Sequence, residues 1–169
     1  MRPKTGDYPP YCDSYISLLE GDDIIRILED QMVSSEIFLR TFSEEKANFA
    51  YETGKWTVKE VVGHVLDTER IMAYRALSFA RGEKQPLPGF EQDDYVAEGN
   101  FSLRTLSELI SEFNLARKSN MILFKSFTND MLKRSGIANG YKMTVLALLY
   151  IIAGHEKHHI KILKERYLK

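Results

Sequence analysis

Thr144-Val145-Leu146-Ala147-Leu148-Leu149-Tyr150-Ile151-Ile152-Ala153-Gly154-His155-Glu156-Lys157-His158-His159-Ile160-Lys161-Ile162 reads as one helix that runs from about Thr144 to near the C-terminus. It contains no proline, and its central line is Val145, Leu148, Ile152, His155, His159 and Ile162, the three-four spacing of one helical face. Two imidazoles therefore continue a stripe of buried aliphatic positions. Positions four apart lie about 40° apart around the axis, so His155 and His159 point the same way. Buried ring nitrogens are costly without partners. A single divalent ion satisfies both.

Upstream, three more amphipathic segments appear. The first starts near Asp22, with Asp22 and Asp23 at the positive end of the helix dipole, and runs through Ile24, Leu28, Met32, Ser35, Leu39 and Phe42. The second opens with the capping box Thr57-Val58-Lys59-Glu60, buries Val61, Val65, Met72 and Phe79, and stops near Arg81-Gly82. The third starts at Ser102 and presents Leu103, Leu106, Ile110, Phe113, Ala116, Leu123 and Phe127. A glycine-containing turn with Gly136 and Gly140 leads into the last helix, and no comparable strand pattern is present. Residues 83–101 form a long connection, punctuated by Pro86, Pro88 and Gly89, with an acidic patch at Glu91, Asp93 and Asp94. Up to about Leu19 the chain reads as an extended arm, because Pro9-Pro10 forbids a helix there. The expected architecture is an all-α four-helix bundle with an extended N-terminal arm, forming a single domain over residues 1–169. The long connection between the second and third helices permits a crossover topology.

Composition narrows the function. The 169 residues are 44% hydrophobic and 28% charged, with a formal net charge of -1, which suits a globular domain. Without a basic stripe, nucleic acid and anionic membranes are poor partners. The only cysteine, Cys12, rules out an internal disulfide and a thiol tetrad for zinc. A lone cysteine and an N-terminus without an apolar leader fit a cytoplasmic setting.

All four histidines fall on two of the helices. His64, beside Val61 and Val65 at the edge of an apolar face, is the natural third ligand for His155 and His159. His158 lies about 100° around the helix from His159 and flanks the site. Three imidazoles leave an open position, the arrangement of a catalytic centre, and they suit zinc, nickel, copper or iron. The run from His155 to His159 also matches the H-E-x-x-H pattern of metalloproteases. No histidine follows it, however, and the sheet of such enzymes is missing. Glu156 is a candidate general base for metal-bound water, against the plainer reading of a solvated helix face. Asp67 or Glu69 could orient an imidazole, or could belong to a charge cluster that joins helices. Arg75 and Arg81 could receive an anionic substrate, and Tyr74 and Trp56 could line a pocket mouth. Nothing in the sequence pairs Cys12 with a base.

Several landmarks together resemble the DinB superfamily and, within it, the YfiT-like group of metal-dependent enzymes. They are Gly54-Lys55-Trp56-Thr57-Val58-Lys59-Glu60, Gly63-His64-Val65-Leu66-Asp67-Thr68-Glu69-Arg70, Tyr74-Arg75-Ala76-Leu77, Ala80-Arg81-Gly82, Pro86-Leu87-Pro88-Gly89-Phe90 and Ile152-Ala153-Gly154-His155-Glu156-Lys157-His158-His159. The resemblance implies an antiparallel four-helix bundle whose metal is bound by one histidine of the second helix and an H-x-x-x-H pair of the fourth. These map onto His64, His155 and His159. Zinc or nickel is the expected ion, a small molecule the expected substrate, and a homodimer the expected assembly. Relatives include hydrolases and S-transferases that use low-molecular-weight thiols. A non-catalytic metal-binding bundle, active in stress response or as an interaction module, is the alternative.

Overall fold

The computed structural model describes residues 1–168. In chain order its elements are α1 (Asp13–Ile16), α2 (Ile24–Leu39), α3 (Glu44–Ala47), α4 (Val58–Ala80), α5 (Gln92–Glu98), α6 (Leu106–Lys125), α7 (Asn129–Lys133), β1 (Ser135–Ala138), β2 (Tyr141–Thr144) and α8 (Val145–Ile162). The long helices α2, α4, α6 and α8 make a four-helix bundle. Each begins at a side-chain cap that satisfies an otherwise unpaired backbone N–H. The Asp23 carboxylate accepts from the Arg26 amide, and Thr144 Oγ1 from the Ala147 amide. Thr57–Glu60 and Thr105–Glu108 are full capping boxes.

Helix α4 packs against α6 and α8, and α2 packs against the same two, so the sequence-consecutive α2 and α4 stand on a diagonal. Leu39, Val61, Ile110 and Leu163 share the core at one end of the bundle. Leu28, Phe79, Phe124 and Leu148 share it at the other. It follows that α2 and α8 run one way while α4 and α6 run the other. The pairs α2–α6 and α4–α8 are antiparallel, and the topology is up-down-down-up. Residues 81–105 must therefore return the full length of the bundle between α4 and α6. At one end the Leu87 amide donates to Ile137 O (2.9 Å). At the other Val96 and Phe101 are buried in the core. The crossover carries α5 along the α4 face.

Several local expectations change. The residues around Gly136 and Gly140 form an antiparallel β-hairpin, where only a turn was expected. Asn139 and Gly140 both have positive φ (50° and 76°), the conformation a two-residue hairpin turn requires. Strands of four residues are too short to show an alternating pattern. The acidic patch of the long connection opens the helix α5, with Glu91 at its N-cap and Asp93 and Asp94 in its first turn. The third bundle helix begins at Leu106 behind the Thr105 cap, and Leu103 is 85% exposed. The arm is not fully extended. Pro10 opens a single 3-10 turn at Pro10–Cys12, which leads into α1, because proline is well tolerated in a first turn. It packs on the body, burying Cys12, Ile16 and Leu19. Among the described residues no helix is long and apolar enough to cross a membrane.

Candidate metal centre

His64 lies near the start of α4 and His155 and His159 near the end of α8, so the antiparallel pairing of these helices sets them at one level. His64 Nε2 is 3.0 Å from His155 Nε2, and His159 Nε2 is 3.1 Å from the same atom. The three ligand atoms all lie within 4.8 Å of one another. Each helix reaches this level through a glycine. A Cβ on Gly63 would come within 2.3 Å of the Phe101 ring, and one on Gly154 within 2.4 Å of Tyr15 O. The two Gly-His steps thus let the crossover and the arm close over the imidazoles. Tyr15 meets His155 edge-on (5.4 Å between centroids) and also His158 (5.3 Å). Trp56 lies against His64 at 4.8 Å.

The donor set fits a metal ion better than a hydrogen-bonded cluster. One ring nitrogen carries either one lone pair or one N–H, so His155 Nε2 cannot make a well-aligned hydrogen bond to each of two imidazoles at once. A cation accepts all three lone pairs. Bonds of about 2.0–2.1 Å at tetrahedral angles put ligand nitrogens about 3.3 Å apart, close to the spacing found. Burial also keeps the rings neutral, the form that ligates. It pushes His64 down to about 4, against a weaker opposing pull from Asp93. His159 is pushed down to about 3 and His155 well below the ordinary histidine value, by burial first and then by the neighbouring imidazoles.

Glu156 is only 1% exposed, so the solvated face expected for it is not observed. Its Oε1 accepts from Ser35 Oγ (2.5 Å) and its Oε2 from Arg117 Nη2 (2.6 Å). Arg117 also makes a two-point contact with Glu69 (2.8 and 2.7 Å) and donates to Leu28 O (3.2 Å). Asn120 donates to Glu69 Oε1 (3.0 Å). This hub, buried apart from the half-buried Asn120, joins α2, α4, α6 and α8. Burial opposes the Arg117 charge, but Glu156 and Glu69 outweigh it and hold the guanidinium protonated. Glu69 is thus a helix-joining residue, one of the two roles weighed for it. Asp67 pairs with Arg70 at 3.6 Å, and Arg70 reaches Glu112 on α6. Arg117 went unnoticed in the sequence. Its signal was there: Ile110, Phe113, Arg117, Met121 and Phe124 are buried at helical spacing, with a charge in the stripe.

Glu156 and His159 line a small pocket of about 10 Å³, too small for a substrate, and two larger cavities flank the histidines. One of about 350 Å³ is reached past His64 and His155, between Tyr15, Thr68, Arg75 and the crossover. The other, of about 370 Å³, opens past His159 and Trp56. Asp93 of α5 lines both, whereas Glu156 lines neither. Volumes of this order suit small molecules. Arg75 is buried on the first cavity, while Arg81 and Tyr74 are exposed and line neither. Cys12 lines the first, but burial pushes its thiol up to about 11, so it stays protonated at neutral pH.

The DinB superfamily model matches residues 28–163, from α2 to the end of α8. The chain belongs to the DinB superfamily. A protein of Oceanobacillus iheyensis named "Putative metal-dependent hydrolase" is 24% identical over 131 residues, covering 75% of this chain and 73% of that protein. YfiT from Bacillus subtilis superposes with a TM-score of 0.77 at 17% identity, covering 98% of this chain and 90% of that one. It is described as "a probable metal-dependent hydrolase with an unusual four-helix bundle topology".

Proposed function

We propose that this DinB-superfamily chain is a metal-dependent hydrolase of small molecules, with one zinc or nickel ion on His64, His155 and His159. The observation that carries the reading is the convergence of two buried imidazoles, His64 and His155, and the half-buried His159, all neutral, with the first two lining a cavity of about 350 Å³. When bound, the ion would supply a Lewis acid and an acidified water at an open position. The chain's own residues do the rest. Trp56 and Tyr15 hold the ligand rings and shield them from water. Asp93, at the mouth of both cavities, takes the proton from the attacking water, the role first considered for Glu156. Glu156 instead fixes α8 through Arg117. The names of the relatives support hydrolysis, and the spacing of the imidazoles supports the metal.

The same open position could bind a low-molecular-weight thiol as thiolate, which would make the chain an S-transferase. The two reactions separate in one experiment. Metal-loaded protein is offered small esters and amides, and in parallel an electrophile with a low-molecular-weight thiol. Turnover of the former that does not need thiol, lost in Asp93→Asn with metal content intact, supports hydrolysis. Turnover only with thiol replaces it. We further propose that the domain acts in the cytoplasm as a homodimer, which light scattering of the purified chain tests.

A further inference from the structure

Arg75 is 3% exposed, yet among the described residues it forms no ion pair. Its Nη2 donates to Pro88 O (2.7 Å) and its Nη1 to the Met72 sulfur (3.6 Å). A guanidinium carries five N–H donors, and one carbonyl and one thioether leave most of them unused. Buried arginines almost always have a carboxylate or equivalent partner. Arg117, the other wholly buried arginine, has two. The groups near Arg75 cannot replace one. The Cys12 thiol is held up at about 11, and the Tyr11 phenol is also raised, both by burial first.

Arg75 lines the cavity beside the histidines. His64, Thr68, Met72 and Arg75 form one stripe down α4 that lines it. Thr68 Oγ1 is buried on that stripe and has no hydrogen-bond partner. Eleven helical residues separate the Cα atoms of His64 and Arg75 by about 16 Å, and the arginine side chain leans back toward the N-terminus, shortening the gap. Glu91 and Asp93 also line the cavity, but both are exposed at its mouth, where water screens them. A buried guanidinium acts through a lower dielectric and dominates the inner end.

We propose that Arg75 and Thr68 form a recognition site for a carboxylate on the substrate, the guanidinium pairing with the oxygens and the Thr68 hydroxyl donating to one of them. The substrate is then a small carboxylic acid whose reacting group lies at the histidine end and whose anion lies at the arginine end. This rests on the reading of the cavity as the substrate site. It does not need the ion to be present, so the two can fail separately.

The test uses 15N-labelled full-length protein, metal-free and zinc-loaded, titrated with succinate, neutral succinamide and inorganic phosphate. The readout is the side-chain Nε–Hε resonance of Arg75, assigned by its absence in Arg75→Lys. The expected result is a saturable shift with millimolar succinate in both forms and none with succinamide. Succinate should bind at least tenfold more weakly to Arg75→Gln and several-fold more weakly to Thr68→Val. The latter variant keeps the fold because its hydroxyl has no partner to lose, and it decides the matter if Arg75→Gln does not fold. An unmoved Arg75 resonance overturns the proposal, as does equal affinity in Thr68→Val. Tighter binding of phosphate than of succinate overturns the carboxylate assignment. Binding confined to the zinc-loaded form places the anion on the metal and overturns the site.

Discussion

Arg117 has no exposed surface and holds Glu69 and Glu156 on either side. Breaking one partner of a buried ion pair typically costs about 3–5 kcal/mol, because the other charge stays buried and unpaired. Arg117→Met should therefore destabilise the fold by about that much in chemical denaturation, leaving two carboxylates without a cation. Glu156→Gln keeps the shape and one hydrogen-bond acceptor, and should cost less. If Glu156 served as general base, this variant would instead lose turnover while keeping its stability. The histidines make a pH prediction at the same scale. Their folded values lie below the ordinary value of 6.5, with His64 at about 4 and His159 at about 3. The unfolded chain therefore binds protons first as pH falls. The neutral rings contribute full stability above 6.5, and the metal-free fold should lose up to about 1.4 kcal/mol per pH unit for each such group as pH drops toward 4. Melts of metal-free protein between pH 7 and 4 check this. His64→Phe should flatten the curve, since it removes one of the titrating groups.

The bundle helices carry the site because two glycines let other segments approach them. Gly63→Ala would drive a methyl into the Phe101 ring, and Gly154→Ala would drive one into the Tyr15 backbone. The ring can shift but the backbone cannot move alone. Gly63→Ala should cost about 1–3 kcal/mol by overpacking, and Gly154→Ala should in addition lift the arm. Faster amide exchange over residues 10–19 in Gly154→Ala alone checks the difference. At this scale the sequence was informative wherever periodicity ran long. The α4 capping box and the α8 stripe were both legible. The hairpin was not, because each strand has only four residues, although its Asn139-Gly140 turn was a usable signal. Helix α6 was read from Ser102, since Leu103 fits the apolar spacing. Its exposure shows that the Thr105–Glu108 cap, and not hydrophobicity, sets the start.

Across the whole molecule, the up-down-down-up order brings the beginning of α4 level with the end of α8. The meeting of the three imidazoles was expected from their spacing, and the antiparallel run of the two helices that sets it was expected from the resemblance to the DinB superfamily. The crossover was foreseen only as a possibility: residues 81–105 are long enough to span the bundle, but length alone does not say where they lie. Their path explains why Asp93 and not Glu156 reaches the cavities, since a helix position next to a ligand in sequence is turned about 100° away from it. Because the site joins α4 to α8, metal binding should stabilise the entire fold. A free ion at one hundred times its dissociation constant adds about 2.7 kcal/mol, a rise in melting temperature that a chelator should reverse.

Metal content of the purified, tag-free chain tests the three-histidine centre most directly. Elemental analysis is made of the wild type and of His64→Ala, His155→Ala and His159→Ala, each offered zinc or nickel and then freed of excess ion. About one equivalent in the wild type, lost in all three variants, is the expected result. A wild type that retains no ion, or variants that retain as much as it does, would contradict the centre and leave the imidazoles as a buried polar cluster.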